Sequence, residues 1–152
     1  MLRVETYSCE NPLVETAPLI PLIRSQMEAI GVPKSSEHVS RALLNAFQPG
    51  SRAVLFVGYG ESGRPTAFAF GNAAAGLEAG ADYFWLNELY VDPACRRQGY
   101  AEAMLANIEN WLKQREIRYI ALATGENNIA AQKLYAKNGY DVDGIIWVDK
   151  KL

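Results

Sequence analysis

The chain has 152 residues, enough for one domain, and its 49% apolar and 21% charged residues are the balance of a globular protein with a buried core. A net charge of −2 carries no basic excess, which speaks against nucleic acid as a partner and leaves a charged small ligand open. Its two cysteines, Cys9 and Cys95, are far apart with no histidine or cysteine cluster beside them, so no zinc site is expected and both thiols read as free.

Leu2 to Tyr7 alternates apolar and polar side chains and predicts a short first strand near a sheet edge. From Leu13 to Ile30 apolar residues recur at helical spacing, with Pro18 and Pro21 inside the pattern. Proline lacks a backbone donor and starts helices, so the regular helix is predicted to begin at Pro18 or Pro21 and end at Gly31. Ser35-Ser36-Glu37 offers an N-cap for a second helix, Val39 to Phe47, closed by Pro49-Gly50. Arg52–Tyr59 and Pro65–Phe70 read as strands joined by the turn Gly60-Glu61-Ser62-Gly63, and the small residues of Gly71 to Gly80 suit a pliable loop or ragged strand end.

Asp82 to Val91 reads as a central strand with two apolar faces, Tyr83, Trp85, Leu89 and Val91 on one, Phe84, Leu86 and Tyr90 on the other. Strict alternation puts Glu88 on the second face and Asn87 on the first. A helical stripe follows at Ala101, Met104, Leu105, Ile108, Trp111 and Leu112, then a strand from Tyr119 to Thr124. This βαβ unit predicts parallel strands with a right-handed crossover. A last helix, Asn128 to Asn138, stops at Gly139, and Tyr140 to Leu152 would supply one or two final strands broken at Gly144. The expectation is a single α/β domain over residues 1–152, in the order β-α-α-β-β-β-α-β-α-β-β, with a central mixed sheet of about six or seven strands flanked by about four helices.

Between the strand ending at Asp92-Pro93 and the helix opened by Gly99 lies a short basic turn with Arg96 and Arg97. Such a junction gathers free backbone N–H groups at the positive end of a helix and suits an anion such as a pyrophosphate. Gly99 lets the backbone approach phosphate oxygens, and the arginines add charge. The three-glycine spacing of a dinucleotide fold is absent.

Two segments together resemble the GNAT superfamily of acyl-CoA-dependent N-acyltransferases. Arg96-Arg97-Gln98-Gly99-Tyr100-Ala101 is similar to that family's pyrophosphate loop, with Ala101 where many members have glycine. Asn128-Ile129-Ala130-Ala131-Gln132-Lys133-Leu134-Tyr135, followed by Gly139-Tyr140, resembles its downstream helix and exit, and Glu88 to Pro93 resembles the strand leading into the loop. The resemblance implies acetyl-CoA as cosubstrate, with main-chain groups of Leu89 and Val91 on the pantetheine arm. It further implies N–H groups of Arg97, Gln98, Gly99, Tyr100 and Ala101 on the pyrophosphate, and Asn128 near the pantetheine. Arg96 joins the phosphate contacts, and a main-chain N–H among Leu89, Tyr90 and Val91 would serve the oxyanion.

Acetyl transfer from a thioester to an amine needs a base for the amine and an acid for the departing thiolate. Glu88, a carboxylate on an apolar face, is the candidate base, the alternative being a structural ion pair. Tyr135 occupies the position where the resemblance implies the acid, the alternative being a core aromatic. Cys95 beside the arginines and the single histidine, His38, are lesser candidates.

No metal is implied. The acceptor region implied by the resemblance is Met27 to His38 and Asp141 to Trp147, where Glu28, Glu37, Asp141 and Asp143 lean toward a cationic amine. A small-molecule primary amine is favoured over a protein or peptide amine, and a non-catalytic acyl-CoA-binding module is the reading from another class. Homodimerisation is common in the resembled family. Met1 to Glu5 lacks a signal pattern and no apolar run spans a membrane, so a cytoplasmic protein is expected.

Overall fold

The computed structural model describes residues 1–152. Its strands are β1 (Arg3–Tyr7), β2 (Ala53–Tyr59), β3 (Pro65–Gly76), β4 (Ala81–Val91) and β5 (Ile120–Ala121), and its helices are α1 (Ile20–Ala29), α2 (Ser36–Ala46), α3 (Tyr100–Gln114) and α4 (Ile129–Lys137). The strands form one sheet in chain order, antiparallel from β1 to β4, with β5 parallel to β4 as the βαβ reading requires. Two compact units make up the chain, Met1–Leu122 with the whole sheet and α1 to α3, and Ala123–Leu152 with α4.

Local chemistry explains the elements. Pro21 sits in the first turn of α1, where a missing N–H costs nothing. Ser35 Oγ accepts the His38 N–H at 3.1 Å and caps α2. The apolar faces of both helices bury Leu19, Leu22, Ile23, Val39 and Leu43 against Leu55, Val57, Phe68 and Tyr90. On the other face of the sheet α3 buries Met104, Leu105, Ile108 and Leu112. There Phe56, fully buried, meets Trp111 and Phe84 edge-on at centroid distances of 5.7 and 6.3 Å.

Three expectations change. Gly71 to Gly76 is not a loop but the continuation of β3, paired residue for residue with Ala81–Leu86. Backbone pairing outweighs the low strand propensity of its alanines and glycines. The strand expected over Tyr119 to Thr124 shrinks to Ile120–Ala121. The strands expected from Tyr140 to Leu152 do not form, leaving five strands instead of six or seven. Ile145, Ile146, Trp147 and Val148 are each at least 64% exposed, and strand propensity without a neighbouring strand yields no ladder.

Candidate active site

In the first unit the site is built on β4. The register runs Tyr90 opposite Phe68 and Glu88 opposite Phe70, then jumps to Leu86 opposite Gly71, so Asn87 is an extra residue without a partner. This is a β-bulge, and it breaks the alternation assumed from sequence. Glu88 and Tyr90 share the α1/α2 face with Phe68 and Phe70, whereas Leu86 and Phe84 turn to the α3 face with Leu89 and Val91. Asn87 does not oppose Glu88 as alternation predicts. Its Oδ1 accepts a hydrogen bond at 2.9 Å from Nδ2 of Asn72, two residues beyond Phe70 and therefore on the same face.

Glu88 is half-buried and has no ion-pair partner, so the structural pairing weighed as an alternative does not occur. Burial raises its carboxyl above the ordinary carboxylate value, because the charged form loses hydration.

Beyond the bulge, β4 has a strand neighbour on one side only. β5 pairs at Phe84 and Trp85 and then ends. Asp92 N–H donates to Thr66 O of β3 at 2.8 Å, so by alternation Leu89 and Val91 turn their main-chain groups to the opposite, open edge. The Arg96 Nε donates to the Val91 carbonyl at 3.1 Å, and its guanidinium lies 5.5 Å from the Tyr90 ring centroid. Arg96 therefore ties the loop to the strand, a role the sequence does not announce.

Asp92 Oδ1 accepts the Ala94 N–H and starts a short 3-10 turn, Pro93–Cys95, after which Arg97 and Gly99 both take left-handed conformations at φ 62° and 75°. Gly99 is the N-cap of α3 and no side chain caps that end, so the first-turn N–H groups of Tyr100 and Ala101 have no partner within the helix. A Cβ at Gly99 would meet nothing within 4 Å, so the space above this cradle is open. Beside it lies a hollow of about 490 Å³ lined by Gln98, Gly99 and Tyr100 and by Glu61 and Arg64 of the β2–β3 turn, with Cys95 at its wall. Open N–H donors with exposed Arg97 are the donor set an anionic diphosphate requires, so the loop fits that group.

The second unit holds the other motif. Asn128 caps α4, its Oδ1 accepting the Ala131 N–H at 3.1 Å, which occupies the oxygen and leaves the amide NH₂ for other partners. Gln132 Nε2 donates to the carbonyls of Gly125 and Glu126 and ties α4 to the turn before it. Tyr135 is 9% exposed, its ring 5.4 Å from that of Tyr140, and burial raises its phenol above the ordinary value. His38 lies half-buried in the first turn of α2.

A family model described as "Acetyltransferase (GNAT) family" matches residues 21–140. The chain belongs to the GNAT family. This GNAT chain is 26% identical over 133 residues to an aminoglycoside N(6′)-acetyltransferase type 1 of Serratia marcescens, covering 85% of this chain and 80% of that protein. It is 41% identical over 56 residues to a [ribosomal protein bS18]-alanine N-acetyltransferase of Haemophilus ducreyi, a match spanning only 37% of this chain and 39% of that protein. Among solved structures, a probable acetyltransferase superposes with a TM-score of 0.83 at 19% identity, covering 98% and 99% of the two chains. An aminoglycoside acetyltransferase from an uncultured soil metagenomic sample, in complex with trehalose, superposes at 0.79 and 15% identity, covering 99% and 96%.

The sequence reading missed the bulge, the Asn72–Asn87 bond and the anchoring role of Arg96. A polar Asn-Glu pair within an apolar strand was the one available signal, since a bulge tolerates two adjacent side chains on one face.

Proposed function

We propose that this GNAT chain transfers the acetyl group of acetyl-CoA directly to a primary amine, with Glu88 as base and Tyr135 as acid. The observation that carries the reading is a half-buried, unpaired carboxylate on the strand that runs into an uncapped helix N-terminus, with an open backbone edge at Leu89 and Val91 between them. The loop Arg97 to Ala101 would hold the pyrophosphate, and the Leu89 and Val91 edge the pantetheine amides. Asn128 would direct its free amide NH₂ to the same arm. Acetyl-CoA supplies an activated acyl group when bound.

The chain's own part is the movement of protons. Glu88 accepts one from the attacking amine, directly or through a water, and its raised affinity for protons makes it a stronger base than an ordinary carboxylate. The amine nitrogen forms the new amide bond as the carbon–sulfur bond breaks. Tyr135, held protonated by burial, gives its proton to the departing sulfur. A main-chain N–H at the open edge of β4 stabilises the oxygen that becomes negative.

A small-molecule amine is the favoured acceptor. The relative named for an aminoglycoside aligns along 85% of the chain, against 37% for the relative named for a ribosomal protein. Thiol release from acetyl-CoA, screened against diverse amines and peptides, tests the function. Release with small amines supports it; release with peptides alone favours a protein acceptor. Binding of acetyl-CoA without release under any acceptor would leave a non-catalytic module.

A further inference from the structure

The bulge puts Asn87 where it has no ladder partner, and an unpartnered residue in a strand needs something else to fix its conformation. Two features of β3 supply it. Gly71, opposite the bulge on the α3 face, has no side chain to collide with the strand: a Cβ there would stand 2.5 Å from the Phe84 ring and 2.5 Å from the Trp85 carbonyl oxygen. On the other face Asn72 Nδ2 donates to Asn87 Oδ1 at 2.9 Å. The bond joins two side chains, so sheet formation alone does not create it.

We propose that Asn72 is a positioning residue for the reaction, its amide holding Asn87 in the bulge and thereby keeping the adjacent Glu88 carboxylate on the α1/α2 face. Asn72 pairs with Trp85 in the ladder and its amide bonds to Asn87, the residue next to Glu88, so its influence passes along the strand. Without the bond, Asn87 is free to rotate into the alternating register. A single-residue slip sends every side chain after it to the opposite face. The inference rests on the reading of Glu88 as base.

The test compares Asn72→Ala, Asn87→Ala and the double variant by steady-state kinetics over pH, with thermal melting as the check of folding. Each single variant is expected to lower kcat about tenfold, a loss of the kind that a small misplacement of a reacting group produces. KM for acetyl-CoA should stay unchanged, the acid limb of the kcat profile should move, and the double variant should be no worse than either single one. If Asn72→Ala does not fold, Asn87→Ala removes the same bond from its exposed side and carries the test. Wild-type kcat with an unmoved acid limb in both single variants overturns the proposal, as do losses that multiply in the double variant. Glu88→Gln separates this outcome from failure of the parent reading. Wild-type turnover by Glu88→Gln means that Glu88 is not the base, whereas a large loss there with none at Asn72 removes only the positioning role.

Discussion

Gly71 and Phe84 are so close across the β3–β4 ladder that no side chain larger than hydrogen fits between them. The contact lies beside the bulge, so packing on the α3 face and the orientation of Glu88 on the opposite face depend on the same backbone path.

Gly71→Ala should therefore destabilise the protein, by about 1–3 kcal/mol, because the obstacle includes the Trp85 backbone oxygen and not only a movable ring. A lower denaturation midpoint at unchanged slope is the expected result. The loss of kcat should exceed the loss in cofactor affinity, measured by titration with acetyl-CoA.

Glu88→Gln should lower kcat/KM by about 10²–10⁴, the usual range for loss of a general base. It should also make the protein more stable at neutral pH. Burial raises the folded carboxyl's pKa above its unfolded value, so the native state favours the protonated form. That advantage is complete below the unfolded pKa and is lost as pH rises through the folded one. At pH 7 the wild type bears the cost of a poorly hydrated carboxylate that glutamine lacks, and melting curves should show the variant's advantage shrinking as pH falls into the carboxylate range.

Tyr135→Phe should keep the fold, since the ring packs on Tyr140 and the hydroxyl adds little volume. Its kcat should fall by roughly 10²-fold with acetyl-CoA affinity preserved. The raised phenol pKa keeps wild-type Tyr135 protonated to higher pH than an ordinary tyrosine, so any alkaline decline caused by its ionisation should be displaced upward accordingly and vanish in the variant. Equal turnover by wild type and variant across pH would remove the tyrosine from the reaction.

Gly99→Ala should weaken acetyl-CoA binding more than it slows the bound complex. The position needs φ 75°, which costs an L residue about 1–2 kcal/mol, and an added methyl would project into the open space above the phosphate cradle. Titration calorimetry with coenzyme A separates the binding loss from a general loss of stability.

Period and punctuation in the sequence go far toward this fold. The stripe from Met104 to Leu112 and the Pro21 and Ser35 signals at helix starts are local, and each reappears as an element. What was illegible depended on neighbours. Gly71 to Gly76 became a strand because Ala81–Leu86 pairs with it, and Ile145 to Val148, far richer in strand formers, did not because it has no such neighbour. The same distinction runs through the candidate site. Gly99 and Asn128 act at helix ends and could be placed from spacing, but the face occupied by Glu88 depends on one unpaired residue whose effect appears only in the register with β3.

The two-residue β5 leaves β4 without a second strand neighbour along Leu89 to Val91, where the Val91 carbonyl is met by the Arg96 side chain and not by a ladder bond. An unpaired sheet edge invites pairing with other chains, yet here the stretch is brief, its side chains are largely buried, and it is bordered by Glu88 and Arg96, which discourage such association. An extended amide-bearing ligand lying along that edge would act as a surrogate strand, so occupancy and folding become thermodynamically linked. At a ligand concentration 100-fold above its dissociation constant, the folded state would gain about 2.7 kcal/mol. The protein's thermal tolerance would then follow the supply of its acyl donor.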